Sequence, residues 1–177
     1  MGDGDRPEIG AFVDAGGVKT NYLDSGEGAP VVLIHGSGPG VTAYANWRLV
    51  IPDLARHFRV LAPDMAGFGY SDKPGNYTMA VWVNQIISFL DALNLKQASL
   101  VGNSFGGALA LRMAIDQPGR VDRFVLSCSP AAAGRRSARR TILAGKRGSC
   151  RRCGRAVRLR RTHRGRRRTR RTRRSRR

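Results

Sequence analysis

The sequence predicts an α/β fold built on a doubly wound sheet, with parallel strands alternating with helices. Short apolar runs rich in β-branched residues recur at residues 31–34, 58–62, 98–101 and 123–127, separated by segments whose apolar residues repeat at helical spacing. Glycine-rich stretches at 35–40, 67–69 and 102–107 follow three of these runs, as expected where strands end and the chain turns back over a sheet. A change of composition after Pro130 confines this pattern to residues 1–130 and sets 131–177 apart.

Taken in order, residues 8–24 alternate apolar and polar positions around Gly16 and Gly17, which predicts a β-hairpin with a glycine turn. A loop of small residues, 25–30, leads into Val31, Val32, Leu33 and Ile34, a central strand buried on both faces. Residues 44–57 place Trp47, Val50, Ile51, Leu54 and then Phe58 at helical spacing, so one helix is expected there, followed by a strand at 58–62. After a turn-rich loop at 63–76, a helix starting at Thr78 buries a stripe of Val81, Trp82, Gln85, Ile86, Phe89, Leu90 and Leu93. A strand at 98–101, a helix at 106–117 and a strand at 123–127 complete the pattern.

Charge divides the chain as sharply as hydropathy does. Of 32 Lys/Arg and 12 Asp/Glu, residues 1–130 hold 10 basic and all 12 acidic residues, so the formal charge of +20 belongs to the last 47 residues. No run approaches the roughly 18 apolar residues of a membrane span, and residues 1–10 are too acidic and polar for a signal peptide. A cytoplasmic protein without membrane partners is expected. Three cysteines do not make a disulfide framework, and Cys150 and Cys153 are followed only by His163, so no metal site is expected.

Gly102-Asn103-Ser104-Phe105-Gly106 matches G-x-S-x-G between a predicted strand and a predicted helix, the context in which that pattern forms a nucleophile elbow. The flanking glycines are needed because a side chain at 102 or 106 would meet neighbouring backbone, and the strained turn lifts the Ser104 hydroxyl above the sheet. Phe105 N–H, at the start of the helix, can donate to an oxyanion, and Ser37 N–H in the 35–40 loop is the expected second donor. The bland alternative for Ser104 is a helix cap. His35 is read as ordering the backbone of its loop, His57 as a surface residue, and Asp64 and Asp72 as turn formers rather than a catalytic acid.

Together, residues 35–40, Asn46-Trp47-Arg48, residues 62–65, Gly67-Phe68-Gly69 and residues 101–110 resemble the bacterial meta-cleavage-product hydrolases, in particular those acting on 2-hydroxymuconate-semialdehyde-like products. The resemblance covers about residues 8–127 and identifies the fold as an incomplete α/β-hydrolase sheet, its N-terminal half without a lid. It implies cofactor-free hydrolysis of a carbon–carbon bond in a vinylogous 1,5-diketone formed by catechol ring cleavage, a small-molecule substrate. In that chemistry the dienol is first converted to a keto form, so that the electrons of the breaking bond are received as a dienolate. Serine, or water activated beside it, adds to the ketone. Carried over by position, Ser104 is the nucleophile, Phe105 and Ser37 line the oxyanion hole, and Asn46 and Asn103 contact the substrate. The family's triad Asp and His, its lid and a substrate-binding Arg come later in the chain, and no triad Asp or His is identifiable here: beyond Ser104 stand only Asp116, Asp122 and His163. A truncated, inactive hydrolase is therefore expected.

Residues 131–177 use eleven residue types, lack acids and aromatics, and are nearly half Arg or Lys, a composition that predicts disorder. Dense arginine can bind phosphates nonspecifically. The abrupt change inside a domain pattern favours an out-of-frame or misassembled end over a selected nucleic-acid module. The strand at 123–127 is then expected to stand as an uncovered apolar edge. Other serine hydrolases such as an esterase, and a basic-tailed nucleic-acid binder, are the alternatives.

Overall fold

A computed structural model describes residues 6–127 and 142–145. The chain enters through a hairpin, β1 (Ala11–Asp14) and β2 (Lys19–Ser25), paired in register from Ala11 opposite Tyr22 to Asp14 opposite Lys19. Gly16 and Gly17 both take positive φ, 70° and 83°, and Ala15 N–H donates to the Val18 carbonyl at 2.9 Å, the tight turn expected from the glycine pair. Next come β3 (Pro30–Ile34), two short helices, α1 (Ala43–Trp47) and α2 (Ile51–Leu54), and β4 (Arg59–Pro63). The single helix expected over 44–57 is therefore broken. Pro52 is the reason: it lacks an N–H and its ring clashes with the preceding turn, so it is accommodated in the first turn of α2 rather than within a continuous helix.

Helix α3 (Met79–Ala92) starts at Thr78, whose hydroxyl accepts from Val81 N–H, and ends where Asn94 turns left-handed (φ 56°) and Leu95 N–H returns to the Leu90 carbonyl at 2.8 Å. The predicted stripe faces inward, with Gln85, Ile86, Phe89 and Leu90 buried and Val83 added to it. Strand β5 (Ala98–Asn103), helix α4 (Phe105–Asp116), strand β6 (Val121–Ser127) and strand β7 (Ile142–Gly145) follow.

The sheet runs in the order β1-β2-β4-β3-β5-β6-β7. Its centre, β4-β3-β5-β6, is parallel as expected, while β2 joins β4 and β7 joins β6 antiparallel, so the sheet is mixed. The β6 edge, expected to be uncovered, is paired with β7 from Arg123 opposite Gly145 to Leu126 opposite Ile142. That short strand comes from within the predicted disordered tail; the rest of residues 128–177, with Cys150, Cys153 and His163, lies outside the described residues.

Alternation along the strands builds two cores. Val32, Ile34, Leu61 and Leu100 pack under α3 and α4, where Ile86, Phe89, Leu109 and Met113 are fully buried. Val31, Leu33, Val60 and Ala62 face the other way, against Ala43, Trp47 and Ile51 of α1 and α2. Each large apolar side chain buried in this way contributes roughly 1.5–3 kcal/mol. Among the described residues no helix is long and apolar enough to cross a membrane. Because the chain leaves β3 toward β4 on one side and reaches β5 on the other, the winding reverses between β3 and β5. A crevice opens at the carboxyl ends of strands at such a reversal.

Candidate active site

At that reversal the loop after β3 meets the turn after β5. Ser104, between β5 and α4, has φ 51° and ψ −111°, a conformation that costs a non-glycine residue on the order of 1–3 kcal/mol. What holds it there is backbone pairing and close approach. Ser104 N–H donates to the Ser127 carbonyl at 2.8 Å, extending the β5–β6 ladder past the last residue of β5. A Cβ on Gly102 would collide with the Gly106–Gly107 backbone, and one on Gly106 with the Ile34 and His35 carbonyls, so both flanking glycines are required as the sequence suggested. Although Ser104 occupies the N-cap position of α4, its hydroxyl makes no capping hydrogen bond. The helix-cap reading therefore fails, and the hydroxyl is left available.

Phe105 is the first residue of α4, so its N–H has no intrahelical acceptor and stands where the helix end is electropositive. Its ring packs edge-on against Trp82 at 4.7 Å between centroids; Trp82 stacks on Tyr77 at 6.0 Å and donates its indole N–H to the Ala66 carbonyl at 2.9 Å. Trp82 belonged to the predicted stripe of α3, but its bracing of Phe105 depends on the crossing of α3 and α4.

The loop after β3 lies directly against the elbow. A side-chain carbon on Gly36 would sit 3.4 Å from the Asn103 carbonyl oxygen and 3.5 Å from Ser104 Cβ. Ser37 follows it and is exposed, and among the described residues its N–H donates no hydrogen bond. Asn46, on α1, accepts at Oδ1 from Gly36 N–H at 3.0 Å and from Asn103 Nδ2 at 3.1 Å. Ser104, Phe105, Asn103, Asn46 and the Gly36–Ser37 segment thus converge. An open cleft of about 570 Å³, lined by Gly38, Pro39, Thr42, Phe68, Tyr70 and Lys73 among others, lies beyond that loop and includes neither Ser104 nor Phe105.

Below the loop lies a buried polar network. His35 is fully buried; its Nε2 accepts from Met65 N–H at 2.9 Å, which puts the proton on Nδ1, and Nδ1 donates to the Gly36 carbonyl at 2.6 Å. Burial pushes the imidazole below its ordinary pKa, against the opposing pull of the Gly36 carbonyl and the Asp64 charge. Both ring nitrogens are occupied, so His35 orders backbone and is no base for Ser104. Asp64 is equally committed. Its Oδ1 accepts from Ala43 N–H at 2.6 Å, and its Oδ2 accepts from Asn21 Nδ2 and Tyr70 N–H, each at 2.9 Å. A Cβ on Gly69 would run into this carboxylate, which accounts for the glycine there. Asp72 accepts from Lys19 N–H at 2.9 Å, closing its turn onto β2. Gln85 accepts from Ala66 N–H at 2.8 Å and donates to Thr20 Oγ1 and the Asp64 carbonyl. Burial of Gln85 was legible from its helical spacing, but its partners on β2 and in the 63–72 loop were not.

The remaining titratable candidates stand at the wrong end of the sheet. His57 is exposed and precedes β4, Asp122 lies at the start of β6, and Asp116 closes α4 in an ion pair with Arg112. The starts of the parallel strands are remote from the carboxyl end of β5 that carries Ser104.

Comparison with known proteins gives the family. Residues 29–146 match the family model of the alpha/beta hydrolase fold. The chain is 59% identical over 122 residues to a 2-hydroxymuconate semialdehyde hydrolase of Pseudomonas sp. (strain CF600), covering 68% of this chain and 43% of that protein. It is 59% identical over 121 residues to a 2-hydroxy-6-oxo-2,4-heptadienoate hydrolase of Pseudomonas putida, covering 67% of this chain and 44% of the relative. Among solved structures, a meta-cleavage product hydrolase from Pseudomonas fluorescens IP01, complexed with acetates, superposes with a TM-score of 0.67 at 54% identity, covering 69% of this chain and 47% of that one. A serine hydrolase involved in carbazole degradation gives 0.64 at 47% identity, over 66% and 46% of the two chains. The chain spans less than half the length of the curated relatives it matches.

Proposed function

The chain belongs to the α/β-hydrolase fold family and, within it, to the meta-cleavage-product hydrolases, and from that premise we propose that it carries the nucleophile half of a hydrolase that cleaves a carbon–carbon bond in a catechol ring-cleavage product. The observation that carries the reading is Ser104 itself: a non-glycine residue at φ 51° whose hydroxyl caps nothing and stands beside the open N–H of Phe105. Strain without a structural use is best explained by a chemical one.

In this reading Ser104 Oγ adds to the ketone or aldehyde carbonyl at the bond to be cleaved, and the oxyanion that forms is met by Phe105 N–H and Ser37 N–H. One such donor is worth on the order of a hundredfold to a thousandfold in rate. Asn103 and Asn46 offer polar contacts to the substrate beside it. The proton leaving Oγ needs a base, and neither His35, bonded at both nitrogens, nor exposed His57 can take it. Among the described residues no histidine stands free beside Ser104, and we expect the chain by itself, a cytoplasmic protein in this reading, to turn over slowly or not at all.

The test follows the dienolate absorbance of 2-hydroxymuconate semialdehyde with the purified chain, with and without added imidazole as an external base. The expected result is negligible loss unaided and a measurable loss with imidazole that Ser104→Ala abolishes. Equal rates for wild type and Ser104→Ala in the presence of imidazole would sink the assignment of Ser104. Rapid Ser104-dependent turnover without imidazole would mean that a base is already present. Faster reaction with a simple aryl acetate than with the ring-cleavage product would favour an esterase instead.

A further inference from the structure

We infer that Asn46 is a positioning residue, whose side-chain oxygen clamps the oxyanion loop to the nucleophile elbow. The inference rests on the reading of Ser104 above and assigns Asn46 a duty that needs no substrate. A carboxamide oxygen has two acceptor sites, and both are taken: one by Gly36 N–H at 3.0 Å, the other by Asn103 Nδ2 at 3.1 Å. Gly36 immediately precedes Ser37, and Asn103 immediately precedes Ser104. One oxygen on α1 therefore ties together the two peptide segments whose next N–H and hydroxyl groups must converge on a single reacting carbonyl.

The β3–β5 ladder holds the two segments side by side as far as Ile34 opposite Gly102. Beyond it, among the described residues, the hydrogen bonds that fix Gly36 come from His35, which takes its carbonyl and is itself held by Met65 N–H, and from Asn46, which takes its N–H. His35 holds the carbonyl of the Gly36–Ser37 peptide and Asn46 the N–H of the peptide before it, so together they fix the two successive peptide planes that lead to Ser37 N–H. Without the Asn46 bond the loop keeps the ladder and its anchor to the core but loses the side-chain bridge to Asn103 beyond the end of the ladder. A displacement of about 1 Å in such a constellation costs about a hundredfold in rate.

The experiment uses the full chain and two readouts. The first is hydrogen exchange of the Gly36 and Ser37 amides, measured by NMR. In wild type, Gly36 is expected to exchange at least about tenfold more slowly than Ser37, because only Gly36 N–H is bonded. Asn46→Asp retains an oxygen acceptor and keeps that protection; Asn46→Leu loses it. The second is covalent labelling of Ser104 by an alkyl fluorophosphonate with imidazole present, followed by intact mass: Oγ displaces fluoride at phosphorus and imidazole takes the proton. Asn46→Leu should slow labelling about a hundredfold while the protein still unfolds cooperatively in urea.

A folded Asn46→Leu that labels at the wild-type rate with Gly36 still protected overturns the proposal. So does a wild-type Gly36 amide that exchanges as fast as Ser37, a measurement that stands even if Asn46→Leu does not fold. Absence of labelling in every form, wild type included, counts against Ser104 as the nucleophile, while Gly36 exchange still decides the clamp.

Discussion

Among the described residues, Ser104 and Asn94 are the two non-glycine positions with positive φ, and they differ in what they gain from it. Asn94 closes α3 with a hydrogen-bonded left-handed turn, whereas the strained Ser104 makes no cap. Ser104→Gly should therefore stabilise the fold: relief of roughly 1–3 kcal/mol of strain outweighs the roughly 0.5–1 kcal/mol entropic cost of a glycine. A rise of about 1 kcal/mol in urea unfolding at unchanged m-value is the expected result. His35 makes the opposite kind of statement. Its folded pKa lies below its unfolded value of about 6.5, so its contribution to stability is complete above that pH and is lost as pH falls through the lowered folded value. Protonation would also remove the acceptor for Met65 N–H. The urea midpoint should drop between pH 7.5 and pH 5, and His35→Gln should flatten that dependence. Identical slopes for the two proteins would show that His35 is not the titrating group.

At the scale of elements, the site is held by what crosses beneath it. Helix α3 reaches the 63–72 loop and strand β2 through Gln85, whose amide satisfies Ala66 N–H, the Asp64 carbonyl and the Thr20 hydroxyl. Gln85→Leu would leave the buried Ala66 N–H without a partner, while the Asp64 carbonyl keeps the Ser71 hydroxyl and the Thr20 hydroxyl keeps the Val18 carbonyl, at a cost of about 1–3 kcal/mol in urea unfolding. The neighbouring exposed position gives the control, since Asn84→Leu should stay within about 0.5 kcal/mol. This network accounts for Gly69, where a side chain would displace the Asp64 carboxylate, whereas at Gly67 a side chain would meet the Tyr77 ring. Periodicity and the Thr78 cap made α3 legible. The break between α1 and α2 was missed because the apolar spacing of residues 44–57 continues through Pro52, whose missing N–H overrides it.

For the whole molecule, charge and fold are separate matters. The 22 Lys/Arg of residues 131–177 should make the intact chain bind duplex DNA without sequence preference, with affinity falling about a thousandfold or more between 50 and 200 mM salt if six or more phosphates are contacted. Fluorescence anisotropy across that range checks this, and strong discrimination between sequences would contradict it. The sequence by itself determined the parallel α/β centre, the elbow around Ser104 and the glycines it requires, because periodicity, β-branched runs and the steric demands of a strained turn are local properties. Tertiary structure alone decided the rest: that β7 covers the β6 edge, that the partner of His35 in the core is Met65 N–H and that Asp64 gathers Ala43 and Tyr70 N–H and the Asn21 side chain, that His57, Asp116 and Asp122 lie at the far end of the sheet, and that Asn46 bridges two segments distant in sequence. Those outcomes depend on strand order and on which hydrogen-bond partners meet after the chain has folded back, and no spacing along the sequence encodes either directly.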